Sequence, residues 1–420
     1  MFKKIPERWR ELSGQNNWKN LLDPLDLDLR RYLLHYGERA QATYDNFNYE
    51  IKSKNAGNSH YCTKDLFEKV GLTNGNPFKY TATKYFYATS SLKVPGCYLL
   101  RSLSREAWSK ESNWMGYVAV STDEGKAALG RRDIMVAWRG TIQPLEWAND
   151  FDFLLTPATK ILGDTDSDTD TAADAAEDDV NTFIPKVHSG FLSVYTSEDP
   201  RSKFNVSSAR EQVLTEVQRL VDQYKDEEIS ITVTGHSLGA SIASLNAVDI
   251  AWNGYNQPCG TQSKQPFPVT AFVFASPRVG NFRFCKIADS IPSLRILRIA
   301  NLPDIVWKYP AKGYYANLGQ ELLINNQLSK YLKHDGGIPS WHSLESYLHG
   351  VAGTQGIKAP FKLAVKRDVA LVNKHTPFLK DKYLVPEMWW MMKNRGMVQQ
   401  QDGSWQLEDH EACDSSDDES

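Results

Sequence analysis

No window of about 18 consecutive apolar residues occurs anywhere in the chain, so no membrane-spanning helix is expected. The opening MFKKIPERWRELSGQNNW lacks the apolar run of a signal peptide, and its acidic residues argue against an organelle transit peptide. The five cysteines, Cys62, Cys97, Cys259, Cys285 and Cys413, are odd in number and free of C-x-x-C spacing. Neither a disulfide framework nor a zinc site is therefore expected, and a reducing cytoplasm is the expected compartment. Walker and dinucleotide fingerprints are missing, as are internal repeats, so no nucleotide cofactor or repeat array is indicated.

What is present describes a folded chain. Among 420 residues, 41% are hydrophobic and 11% aromatic, with 12 tryptophans, which excludes wholesale disorder. The formal charge of −3 is unevenly spread: Asp164 to Asp179 and Asp402 to Ser420 each hold eight acids and no Lys or Arg, and without them the balance is +13. A basic body favours anionic lipid surfaces, although basic residues dispersed over a solvated surface would give the same sum. Counted from Asp166, the carboxylates of Asp166, Asp168, Asp170, Asp174 and Glu177 imitate a calcium loop. Thr171 stands where such a loop needs glycine and no helix pair flanks it, so the expectation is a solvated acidic loop, with no bound metal.

The chain divides into three stretches. Residues 1–110 are expected to form a helical extension packed on the core, with Leu29, Leu33, Tyr36 and Ala40 on one apolar stripe. Residues 111–352 alternate strands (GYVAVS, DIMVAW, SITVTG, PVTAFVFAS, LRILRIAN) with helices, including one carrying Val213, Val217, Leu220 and Tyr224 at helical spacing. That alternation predicts an α/β fold, a mostly parallel central sheet flanked by helices. Residues 353–420 read as a C-terminal extension with an acidic disordered tail from about 402.

Within the α/β region, ITVTGHSLGASIAS runs from a strand through Gly235-His236-Ser237-Leu238-Gly239 into a helix. This is the setting in which G-x-S-x-G presents a serine above a sheet, the glycines permitting the sharp turn. A serine hydroxyl is a poor nucleophile until a base takes its proton and an acid orients that base. Asp304, just beyond the strand LRILRIAN, is the best placed acid; Asp249 and Asp289 fall within helices. His334, His342, His349 and His375 follow, and His342 has the loop position from which an imidazole can enter a cleft.

In order along the chain, DIMVAWRGT, VHSGF, TVTGHSLGA, NLPDIV and HSLESYLHG resemble the class 3 lipases, the fungal-lipase-like α/β hydrolases. LLDPLDLDLRRYLLHYGERAQATYDNFN and VPEMWW resemble more narrowly the plant type II phospholipases A1. The resemblance implies the α/β-hydrolase fold, Ser237 as nucleophile and site of an acyl-ester intermediate, Asp304 as orienting acid and His342 as general base and acid. It implies an oxyanion hole from the backbone N–H groups of Leu238 and Thr141, and a lid over IQPLEWANDFDFLL, where Ile142, Leu145 and Trp147 would meet substrate. Packing of those side chains into the core is the competing reading of that stretch.

The implied reaction is release of the sn-1 fatty acid from phospholipids, with no cofactor. A triacylglycerol or monoacylglycerol lipase or a galactolipase would use the same machinery, and a non-catalytic lipid-binding protein is the reading from another class. The expected partners are a phospholipid substrate and a transiently contacted membrane surface, with no nucleic acid.

Overall fold

The computed structural model describes residues 5–94, 96, 98–105, 112–141, 154–164, 184–260, 265–390, 397–407 and 410–411. Its central strands are β1 (Tyr80–Ala88), β2 (Asn113–Ser121), β3 (Arg132–Trp138), β6 (Ile229–His236), β7 (Val269–Phe274), β8 (Leu294–Asn301) and β9 (Gln320–Ile324). They form one sheet in the order β1-β2-β3-β6-β7-β8-β9. Its first three strands are antiparallel, and β3 through β9 are parallel. A short ribbon of β4 (Leu155–Pro157) and β5 (Lys186–His188) stands apart.

Sequence explains why the parallel strands lie inside. Every residue of β6 is buried, with Ile229, Ile231 and Val233 joining the apolar cluster on one face of the sheet. On the other face the Thr232 hydroxyl donates to Asp133 at 2.8 Å and that of Thr234 to the Phe272 carbonyl at 2.9 Å. A strand covered on both faces needs β-branched residues throughout, and any hydroxyl among them needs a partner.

Four helices matter for the site. α1 (Leu27–Asp45) starts at Asp26, whose side chain accepts from the N–H groups of Asp28 and Leu29. Its stripe of Leu29, Leu33, Tyr36 and Ala40 is fully buried in the cluster that also holds Tyr347 and Leu348 of α4 (Leu344–Gly353). On the opposite face lie α2 (Ala209–Gln223), opened by a Ser208–Glu211 capping box, and α3 (Leu238–Trp252).

Three expectations change. β1, inside the stretch expected to be a helical extension, is the edge strand of the central sheet. A register shift between Ala82 and Lys84 breaks its alternation in mid-strand, which hides the period-two pattern in YTATKYFYA. The tail is not free from residue 402, since Trp405–Leu407 pairs with Met397–Gln399. Farther on, the Glu411 N–H donates to the His60 carbonyl at 2.8 Å and its carboxylate accepts from the Cys62 N–H. Local partners, including Lys69 at 3.6 Å, offset the acidity there.

The cysteines differ as well. Cys62 is disulfide-bonded, to a partner outside the described residues, while Cys259 and Cys285 are free thiols. Ile142, Leu145 and Trp147 of the expected lid, and acidic residues 165–179, lie outside the described residues.

Candidate active site

β6 ends at His236 and α3 begins at Leu238, so Ser237 alone makes the turn, with φ 59° and ψ −126°. A residue with a Cβ is held there at a cost of about 1–3 kcal/mol, which the surrounding packing must offset. The two glycines make that packing possible. A Cβ on Gly235 would lie 2.4 Å from the Gly239 carbonyl oxygen, and one on Gly239 would lie 2.4 Å from that of Trp138. The spacing G-x-S-x-G thus lets the end of β6, the start of α3 and the end of β3 close on one another.

The structure brings Ser237, His342 and Asp304 together. Ser237 and His342 are each 1% exposed and Asp304 is fully buried, so their geometry is shielded from bulk water. His342 Nδ1–H donates to Asp304 Oδ2 at 2.8 Å, which leaves Nε2 as an acceptor. The Ser237 hydroxyl donates to that Nε2 at 2.9 Å. Burial alone would raise the Asp304 carboxyl, but His342, the Tyr347 hydroxyl and the Val306 N–H together hold it below its ordinary value. It is therefore a carboxylate beside an imidazole, the state needed to stabilise a transient imidazolium. The other histidines weighed for the base lie elsewhere. His349 bonds Ser329 at 2.8 Å and His375 bonds Asp45 at 2.7 Å.

Three supporting residues were not singled out from the sequence. Tyr347 donates its O–H to Asp304 Oδ2 at 2.6 Å and accepts from the Asn301 N–H at 3.1 Å. His236 lies 2.7 Å by Nε2 from the His342 carbonyl oxygen and 2.7 Å by Nδ1 from the Tyr44 hydroxyl. A carbonyl can only accept, so Nε2 carries the proton and Tyr44 donates to Nδ1. Burial first, and then His342, push the His236 pKa well below that of a free imidazole. A neutral His236 puts no second positive charge beside the His342 ring, 4.7 Å away between centroids. Tyr347 follows His342 closely in sequence and His236 sits inside the serine motif, but Tyr44 comes from α1, 192 positions from its partner.

Leu238 is the first residue of α3, so its N–H has no carbonyl one turn earlier in the helix and faces out of the helix N-terminus. Thr141 follows the β3 segment that abuts this turn. Its hydroxyl is buried and without a hydrogen-bond partner among the described residues. A buried hydroxyl in that state is costly unless a ligand completes it, and a developing oxyanion has the required chemistry. Among the described residues no group of His, Cys, Asp or Glu could hold a metal ion, and no helix is long and apolar enough to cross a membrane.

The profile of the lipase (class 3) family matches residues 135–314. Phospholipase A1-IIgamma of Arabidopsis thaliana is 51% identical over 418 residues, 99% of this chain and 96% of that one. Phospholipase A1-II 7 of Oryza sativa subsp. indica is 54% identical over 418 residues, 98% of each chain. The chain belongs to the plant type II phospholipase A1 family. The class 3 lipase match includes Thr141, Ser237 and Asp304 but stops short of His342, whereas the alignments to the type II phospholipases A1 run nearly end to end. A solved structure of similar shape is the Lip2 lipase of Yarrowia lipolytica, with a TM-score of 0.42 and 18% identity over 72% of this chain and 80% of that one.

Proposed function

We propose that this protein hydrolyses the sn-1 acyl ester of phospholipids through an acyl-enzyme on Ser237. The observation that carries the proposal is the buried hydrogen-bonded chain from Ser237 through His342 to Asp304, in a member of the type II phospholipase A1 family.

The Ser237 hydroxyl oxygen attacks the ester carbonyl carbon while His342 Nε2 takes its proton, and the imidazolium is held by Asp304. The carbonyl oxygen becomes an oxyanion received by the Leu238 N–H and by Thr141 through its N–H and hydroxyl. As the tetrahedral centre collapses, His342 returns the proton to the leaving lysophospholipid oxygen. Water then attacks the acyl-enzyme with His342 as base, releasing the fatty acid and restoring Ser237. Water is the only co-reactant, and no step calls for a metal or an organic cofactor.

The test is a phospholipid with different acyl chains at its two positions, followed by mass spectrometry of the first products. Release of the sn-1 acid with the 2-acyl lysophospholipid is expected. Release of the sn-2 acid first, or phospholipid left intact while triacylglycerol is cleaved, overturns the proposal.

A further inference from the structure

One region of the surface combines exposed rings with lysines next to the catalytic loops. Leaving β7, the chain passes Ser276, Pro277 and Arg278 and enters a helix, Phe282–Ser290, whose first residue is 71% exposed. Leaving β8, it passes Asp304 and forms a loop in which Tyr309 is 39% and Tyr314 84% exposed. The two segments are joined by the backbone. The Arg278 N–H donates to the Tyr309 carbonyl at 2.8 Å and the Ala316 N–H to that of Gly280 at 2.9 Å. Arg278 is 7% exposed, and its guanidinium donates to the Lys308 and Pro310 carbonyls and to Asn317. Burial lowers its pKa, yet its carbonyl partners suit a cation, so it acts as a clamp on this loop.

β5 continues the same surface. The Asn281 N–H donates to the Lys186 carbonyl at 2.9 Å and its side-chain amide to the Ile184 carbonyl at 2.8 Å, and Ile184 is also exposed. Ile184, Phe282 and Tyr314 therefore each lie within a few residues of one hydrogen-bonded seam. Single exposed apolar residues are ordinary on protein surfaces, but a seam of them beside a catalytic loop is not.

Most of the charges in these segments are positive. Lys186, Arg283, Lys286, Lys308 and Lys312 lie along the seam, with Lys286, Lys308 and Lys312 exposed. The acids here are Asp304, buried on His342, and Asp289, near the far end of its helix. The Lys308 ammonium lies over the Trp307 ring, 5.3 Å from its centroid. Tyrosine and tryptophan rings suit the boundary between hydrocarbon and water, and lysines suit anionic head groups.

We propose that this seam, centred on Phe282 and Tyr314 and flanked by Lys308 and Lys312, is the face by which the protein docks on an anionic phospholipid bilayer. The proposal rests on the phospholipase reading for its choice of partner. It adds a wall of defined residues on the β7 and β8 loops.

The test uses full-length Ser237→Ala protein, so that the vesicles survive, with vesicles of phosphatidylcholine alone and of phosphatidylcholine with phosphatidylglycerol. Sedimentation should show binding that is stronger on the anionic vesicles and weakens with salt. Adding Phe282→Ser and Tyr314→Ser should reduce that binding at least about tenfold. Both side chains are largely solvent-exposed, so the melting temperature should not move and a folding defect can be recognised; if it does move, Lys308→Gln with Lys312→Gln replaces the pair and should abolish the preference for anionic vesicles. Undiminished binding by the folded variants, or no binding by the parent, overturns the docking face. Vesicle binding through this face by a wild-type protein that releases no fatty acid would instead overturn the reading of the activity and leave the face standing.

Discussion

At the scale of single residues, the site is a set of groups whose protons are assigned by their partners. Asp304 accepts from both Tyr347 and His342, so Asp304→Asn should leave the imidazole with the wrong tautomer and lower kcat by about 10⁴-fold, as stopped-flow or steady-state assay of a soluble ester would show. Tyr44 acts at one remove. Tyr44→Phe deletes the donor to His236 Nδ1 and frees the ring that holds the His342 carbonyl. We expect kcat to fall roughly fivefold with little change in KM, since one hydrogen bond of about 1 kcal/mol is lost from the reacting machinery. Equal kcat in the variant would contradict a positioning role. Ser237, Asp304 and His342 were legible because each occupies a characteristic place beside a strand or helix end. Tyr44 and Tyr347 were not, because their significance lies in which atom they touch across the fold.

At the scale of elements, the turn between β6 and α3 is where sequence and structure agree most closely. The spacing of Gly235 and Gly239 states the geometry directly, since either Cβ would collide with backbone. Gly239→Ala should therefore destabilise the fold by about 1–3 kcal/mol in urea unfolding and depress turnover as well, because the Trp138 carbonyl cannot move without shifting the strand that leads to Thr141. Stability equal to wild type would show that the turn has slack. α1 was legible as a buried stripe but its second task was not. Its last turn carries Tyr44 to the nucleophile, which makes the N-terminal stretch part of the catalytic architecture. β1 was missed for a local reason, a register shift that breaks its alternation, and the pairing of Trp405–Leu407 because acidic composition masked a short strand.

At the scale of the whole molecule, buried histidines set the response to acid. Burial pulls His188 and His349 down to about 3, and His35 and His236 are lowered in the same sense. Their folded values lie below the unfolded value, so they contribute stability above about pH 6.5 that is lost as pH falls towards the folded value. Between pH 7 and 5, His188 and His349 should each remove about 2 kcal/mol from the unfolding free energy, offset in part by Glu345, whose pKa burial raises. Asp304 and Asp45, both lowered, act only below the carboxylate range. Urea titrations at pH 7, 6 and 5 should show falling midpoints, and a flat series would contradict the buried neutral state of these rings. The central claim, that one serine carries the chemistry, has a more direct test. Treat the protein with a phosphonate serine reagent, map the adduct by peptide mass spectrometry, and assay Ser237→Ala on phospholipid. A single adduct at Ser237 and a loss of turnover on the order of 10⁶-fold in the variant are expected; an adduct at another residue, or fatty-acid release by Ser237→Ala near the wild-type rate, would refute a catalytic Ser237.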